Sequence, residues 1–254
     1  MSTVKQTSSC IDFERPGSRV RLRLFCFPYA GGGAAVFRSW SSTLPPEVQL
    51  CPVHLPGRGN RFVEPPVTRL SVLVDLLAGE LAPYLDIPFA FFGHSMGALV
   101  AFELARRLRD ESRVLPEYLL VSGRRAPQCP SDKRPLHALP EGEFQEELRN
   151  LNGTPEEILQ HPELMELFAP ILRADFEICE TYSYVEGEPL DLPVSAFGGL
   201  ADPDVSREHL SGWKEHTRGP FRLRMFPGGH FFLHGARQEL VHAVAEDLIR
   251  LALR

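Results

Sequence analysis

The stretch PFAFFGHSMGALVA, from Pro88 to Ala101, decides how the rest of the chain is read. Its first half, Phe89, Ala90, Phe91 and Phe92, is a continuous apolar run. Such a run suits a parallel strand buried on both faces. After Gly97 the pattern continues as a helix through Ala98, Leu99, Phe102, Leu104, Ala105 and Leu108. Between strand and helix, Gly93-His94-Ser95-Met96-Gly97 spells G-x-S-x-G, the pattern of a nucleophile elbow. The glycines permit a sharp strand-to-helix turn without Cβ clashes. That turn holds the Ser95 hydroxyl clear of the sheet, at a helix N-terminus that favours developing negative charge. Five letters alone are weakly specific. Their setting, strand before and helix after, makes Ser95 the candidate nucleophile rather than part of an ordinary glycine-flanked turn.

Working outward, Val20–Phe27 is a strand candidate ending in Pro28-Tyr29-Ala30-Gly31-Gly32-Gly33. This glycine-rich loop fails as a dinucleotide fingerprint at Val36, and no phosphate-loop lysine follows. The better reading is a loop offering main-chain N–H groups to an oxyanion. A helix over Ala34–Leu44, a strand over Val48–Leu55 and a helix over Leu70–Leu85 follow. Beyond the elbow, Glu117–Ser122 is the next strand. No strand is evident from Gly123 to about Leu190, where helices are expected over Glu143–Leu151, Pro155–Leu159 and Glu163–Thr181. Strands resume at Pro193–Leu200 and Phe221–Phe226, and a helix over Ala236–Leu253 closes the chain. Strands alternating with helices imply a mostly parallel sheet covered on both faces. The expected organisation is a flexible leader (1–18), an α/β core (19–123 and 191–254) and a helical lid inserted at 124–190.

Composition sets limits. A chain of 254 residues suits one α/β domain with an insertion. The formal net charge of -6 argues against general nucleic-acid binding. The five cysteines have no C-x-x-C spacing, against a zinc site or a disulfide framework. The start, MSTVKQTSSC, lacks the apolar core of a signal peptide, and the longest uncharged stretch is too short and interrupted to span a membrane. A cytoplasmic monomer with no metal and no cofactor is expected.

A serine nucleophile needs a base, and the base needs an orienting group. In α/β-hydrolases these follow in the order Ser, acid, His, each on a loop after a strand. Of nine histidines, His230 meets that order, since it follows the strand Phe221–Phe226 through Pro227-Gly228-Gly229. His234 falls one turn further, and His54 and His94 come too early. For the acid, Asp202 directly follows the strand Pro193–Leu200. Its rival Asp204 suits the cap of a helix starting near Val205. The oxyanion hole is expected from the N–H groups of Met96 and Ala30.

With these residues in place, the chain resembles the type II thioesterases that accompany polyketide and non-ribosomal peptide synthases. The motifs are FPYAGGGA (Phe27–Ala34), LPGRGNR (Leu55–Arg61), FGHSMGA (Phe92–Ala98), FGGLADPDV (Phe197–Val205) and FPGGHFFL (Phe226–Leu233). The resemblance implies an α/β-hydrolase fold with a helical lid, and a Ser95–Asp202–His230 triad. It also implies hydrolysis of acyl thioesters on the phosphopantetheine arm of acyl or peptidyl carrier domains. Rival readings are a medium-chain acyl-carrier thioesterase, a general carboxylesterase, and a non-catalytic acyl-carrier binding module. A dense basic stretch, with Arg106, Arg107, Arg109, Arg113, Arg124, Arg125, Lys133 and Arg134, invites docking of an acidic carrier. Local charge dominates within a Debye length of ~8 Å, so Arg124 and Arg125 are the candidate docking pair.

Overall fold

The apolar runs pair into one sheet. The computed structural model describes residues 6–7, 10–13, 19–111, 114–130, 134–151, 153–154 and 156–252. A short antiparallel pair, β1 (Gln6–Thr7) and β2 (Asp12–Phe13), lies near the start. Then come β3 (Leu22–Phe27), β4 (Val48–Pro52), β5 (Phe89–His94), β6 (Tyr118–Ser122), β7 (Val194–Gly199) and β8 (Phe221–Phe226). These six form one sheet in the order β4-β3-β5-β6-β7-β8, with every neighbouring pair parallel. Phe27 pairs with Gly93, and His94 with Ser122, so the carboxyl ends of β3, β5 and β6 reach one edge together. That edge is where ligands bind in such sheets.

The two-residue period of a strand assigns the faces. Phe25, Phe27, Phe89 and Phe91 point to one side, where Leu73 and Leu77 of α1 (Leu70–Leu81) and Leu99 and Leu104 of α2 (Met96–Asp110) complete the core. Leu24, Cys26, Ala90 and Phe92 point to the other, against Phe37, Trp40 and the Leu240, Val244 and Leu248 face of α8 (Arg237–Ala252).

Between β6 and β7 run α3 (Glu141–Leu151), α4 (Glu156–Gln160) and α5 (Pro162–Glu180). They carry a small core of their own, built on Phe144, Leu148, Leu159, Met165 and Leu172. Ile178, near the end of α5, joins the core of the α1–α2 face instead. The segment is therefore seated against α2 by its last helix.

The structure corrects several expectations. Residues 10 and 11 are no flexible leader. Cys10 and Ile11 are buried in the core, the His54 N–H donates to the Cys10 carbonyl, and Ile11 bridges to Val53. Most other positions of the expected leader lie outside the described residues. The turn over Ala34–Ser42 is a 3-10 helix. The helix expected to reach Leu85 ends at Leu81 and tightens into a 3-10 turn over Ala82–Tyr84, where Pro83 cannot donate. The closing helix is α8, as expected, and a short helix outside the expected elements, α7 (Phe232–Gly235), precedes it. The cap of α6 (Arg207–Ser211) is Ser206 rather than Asp204, and Ser206 Oγ accepts from His209 N–H at 3.3 Å. Among the described residues, no helix is long and apolar enough to cross a membrane.

Candidate active site

Ser95 stands between β5 and α2 with φ 53° and ψ -112°, the single non-glycine residue at positive φ among those described. Backbone strain of this kind concentrates at functional sites. Two close approaches impose it. A Cβ at Gly93 would lie 2.0 Å from the Gly97 carbonyl oxygen, and one at Gly97 would lie 2.0 Å from the Phe27 carbonyl oxygen. Only glycine fits either place. The Ser95 N–H donates to the Ser122 carbonyl at 2.7 Å, tying the elbow to the next strand.

The expected partners converge on Ser95 from the ends of β7 and β8. His230 Nε2 lies 3.0 Å from Ser95 Oγ, and His230 Nδ1 lies 2.8 Å from Asp202 Oδ2. The other oxygen, Asp202 Oδ1, accepts the N–H groups of Asp204 at 2.9 Å and Val205 at 3.2 Å. The Asp202 side chain is fully buried, whereas that of His230 is 23 % exposed. Burial pushes the Asp202 carboxyl up. The His230 hydrogen bond and charge, with the two main-chain donors, outweigh it and hold the pKa below the usual carboxylate value. Asp202 is thus an anion at neutral pH, and its three hydrogen bonds fix it in place to orient His230. Asp204 gives the carboxylate a main-chain donor.

His94 sits against this group, its ring centroid 5.4 Å from that of His230. Burial, reinforced by the neighbouring His230 charge, pushes its pKa well below the usual histidine value. Its Nδ1 meets Ser122 Oγ at 2.9 Å, and its Nε2 has no partner. It stays neutral and packs beneath Tyr29, Phe231 and Phe232.

The loop after β3 is more tightly held than its glycines imply. Tyr29 Oη bonds His234 Nε2 at 3.0 Å, and the Tyr29 ring packs edge-on against His94 and Phe231. Gly31 N–H donates to Asp175 Oδ2 at 2.7 Å. Asp175, on α5, is bidentate with Arg58 at 2.5 and 2.7 Å. Ala30 lies between these attachments. Its N–H and that of Met96 enter no hydrogen bond among the described residues. Met96 opens α2, where main-chain donors have no helical partner. Sequence reasoning missed Arg58, Asp175, Tyr29 and His234. Arg58 lies inside a quoted motif, but nothing local pairs it with a residue 117 positions on.

The basic stretch does not form an open cationic face. Arg106 pairs with Glu103, Arg107 with Asp75 and Glu111, Arg109 with Asp110, and Arg134 with Glu143. Arg113 and Lys133 lie outside the described residues. Arg125 is half-buried and donates to the Pro130 carbonyl at 2.6 Å and the Asp204 carbonyl at 3.1 Å. Arg124, also half-buried, reaches the Cys179 thiol. Both arginines of the expected docking pair thus have partners within the chain, and Arg125 braces the loop that carries Asp202.

Comparison with known proteins identifies the family. The family profile described as "Thioesterase domain" matches residues 22–251. The chain is 47% identical over 253 residues to the gramicidin S biosynthesis protein GrsT of Aneurinibacillus migulanus, covering 100% of this chain and 98% of that protein. Among solved structures, RedJ, a thioesterase of the prodiginine pathway in Streptomyces coelicolor, superposes with a TM-score of 0.84 at 39% identity, covering 90% of this chain and 86% of RedJ. BorB, a type II thioesterase from the borrelidin biosynthetic cluster, gives a TM-score of 0.86 at 38% identity, covering 96% and 99%. The fold is that of the α/β-hydrolases, and the chain belongs to the thioesterase family.

Proposed function

We propose that this enzyme hydrolyses acyl thioesters held on the phosphopantetheine arm of acyl or peptidyl carrier domains, clearing stalled or aberrant acyl groups from a polyketide or non-ribosomal peptide synthase. The observation that carries the chemistry is the unbroken chain Ser95 Oγ, His230, Asp202, with contacts of 3.0 and 2.8 Å. His230 Nε2 takes the Ser95 proton as Oγ attacks the thioester carbonyl. Asp202 holds the imidazole in the required tautomer and stabilises the imidazolium. The N–H groups of Met96 and Ala30 receive the oxyanion, the strongest single contribution in such sites. The tetrahedral intermediate collapses, expelling the pantetheine thiol with the proton from His230 and leaving Ser95 acylated. Water, deprotonated by His230, then releases the carboxylic acid and restores Ser95.

Every step uses side chains, main-chain N–H groups and water, so no cofactor or metal is proposed. The arm belongs to the substrate. The carrier partner is supported by similar solved structures from NRPS/PKS pathways, ClbQ of the colibactin pathway and YbtT of the yersiniabactin pathway. Five free cysteines suit a reducing cytoplasm, and we place the enzyme there as a monomer. The segment 124–190 is proposed as a lid: Gly153, between α3 and α4, packs on Phe231 beside His230, and α5 covers the Tyr29–Gly33 loop.

The test compares kcat/KM for one acyl group presented on a carrier domain, on coenzyme A and as an oxygen ester, alongside fluorophosphonate labelling. Labelling at Ser95 with preference for the carrier thioester supports the proposal. Preference for the oxygen ester would make the protein a carboxylesterase. Failure to label would leave a binding module.

A further inference from the structure

Resting on the oxyanion role proposed for Ala30, a second question concerns what aims its N–H. The loop has no strand pairing at that point; a turn closed by the Gly32 N–H on the Tyr29 carbonyl at 2.8 Å is anchored by attachments on both sides. Before Ala30, the Tyr29 ring is held by His234, His94 and Phe231. After it, Gly31 N–H is fixed by Asp175 Oδ2 at 2.7 Å. Arg58 then closes a second circuit. Its Nη1 donates both to Asp175 Oδ2 at 2.5 Å and to the Gly32 carbonyl at 3.1 Å, and its Nη2 to Asp175 Oδ1 at 2.7 Å. Both residues are buried, Arg58 at 7 % exposure and Asp175 at 1 %. Leu172, three residues earlier on α5, lies so close that a Cβ at Gly31 would be 2.4 Å from its Cδ2.

A buried ion pair is by itself a poor stabiliser, because desolvation offsets the attraction. What distinguishes this pair is where it is placed. It fixes an N–H and a carbonyl in consecutive residues just past Ala30, and so constrains the peptide planes that orient the Ala30 N–H. We infer that Arg58 and Asp175 are positioning residues that aim the Ala30 N–H at the oxyanion. Because Asp175 belongs to α5, the hole is complete only while α5 is seated on the loop. This makes the inserted segment part of the catalytic apparatus as well as a cover.

Two variants separate positioning from stability. Arg58→Met/Asp175→Leu replaces the pair by apolar groups, a change that is commonly neutral or stabilising. Asp175→Asn keeps an oxygen for Gly31 N–H but strands the Arg58 charge. The double variant, which also frees the Gly31 N–H and the Gly32 carbonyl, is expected to melt roughly 4 °C below wild type and to lose about 100-fold in kcat with KM within about twofold, as removal of an oxyanion donor does. Its rate of inactivation by a fluorophosphonate, whose P=O oxygen needs the same donors, falls in parallel. Asp175→Asn is expected to melt roughly 10 °C lower, yet to keep more kcat per titrated active site than the double variant. Stability and kcat therefore rank the two variants in opposite orders.

A double variant with wild-type kcat, or with its loss in KM alone, overturns the inference. If the double variant does not fold, Asp175→Asn read below its melting temperature decides. There, kcat and inactivation rate both equal to wild type overturn the inference, and a parallel loss in both supports it. Wild type that fails to hydrolyse thioesters, or Ser95→Ala that hydrolyses them equally, would instead overturn the proposed function.

Discussion

Replacing Asp202 by Asn is expected to switch the His230 tautomer. Asp202 Oδ1 accepts two main-chain N–H groups, from Asp204 and Val205, and Oδ2 faces His230 Nδ1 at 2.8 Å. An Asn side chain has one oxygen and one NH2 group. Its oxygen must meet the two main-chain donors, since its NH2 would leave both of them buried and unpaired. The NH2 then faces His230 Nδ1, which becomes an acceptor. The ring proton moves to Nε2 and points at Ser95 Oγ, 3.0 Å away. The base is lost although no heavy atom moves. In serine hydrolases with this arrangement, such a tautomer switch lowers kcat by about 10⁴, equal to about 5 kcal/mol in barrier. The assay is steady-state hydrolysis of an acyl-pantetheine thioester with thermal melting of the same preparation. A variant that melts normally and keeps kcat within about tenfold of wild type would refute the reasoning. Asp204→Asn is the control, and its kcat should stay within about threefold of wild type, because the Asp204 contact with the carboxylate is made by the main chain.

Other perturbations follow from the same geometry. Gly97→Ala places a Cβ 2.0 Å from the Phe27 carbonyl oxygen, so β3 and the elbow must separate. A loss of about 1–3 kcal/mol in stability, and at least about 100-fold in fluorophosphonate labelling rate, is expected from melting and labelling experiments. Burial holds His216 down to about 4, against about 6.5 when unfolded. The unfolded chain therefore binds the extra proton between these values, and stability present above pH 6.5 is lost as pH falls to 4, by about 3 kcal/mol. His216→Phe, packed among Phe102, Trp213 and Tyr184, should make the melting temperature fall less steeply over that window, with buried His94 supplying the rest, and an unchanged slope contradicts the assignment. Arg125→Ala frees the Pro130 and Asp204 carbonyls. It should lower kcat about equally on carrier and small thioesters, whereas a KM effect on the carrier alone would support the docking role.

The sheet and the Ser95, His230 and Asp202 constellation were legible because their signals are local. Continuous apolar runs such as Phe89–Phe92 mark buried strands, and the elbow glycines announce a turn only they can make. Chain order then selects Asp202 and His230 at strand ends. What escaped depends on distance and context. The Arg58–Asp175 pair joins residues 117 apart with no shared period. Cys10 and Ile11 lie in a polar stretch, and only the bridge to Val53 makes them core. The arginines of α2 and the segment after it read as a basic patch because counting one charge sign passed over their acid partners, some on the same helix (Glu103, Asp110) and some on another, such as Asp75 of α1 for Arg107. The helix cap went to Ser206 rather than Asp204 because the carboxylate of Asp202 had already taken the N–H groups at 204 and 205.

The most direct test of the central claim is intact-protein mass spectrometry of an acyl-loaded carrier domain incubated with wild type and with Ser95→Ala. The expected result is loss of the acyl mass with the phosphopantetheine arm retained, by wild type alone. A carrier left fully loaded by wild type, while small esters are cleaved, would keep the serine chemistry and contradict the carrier-editing function.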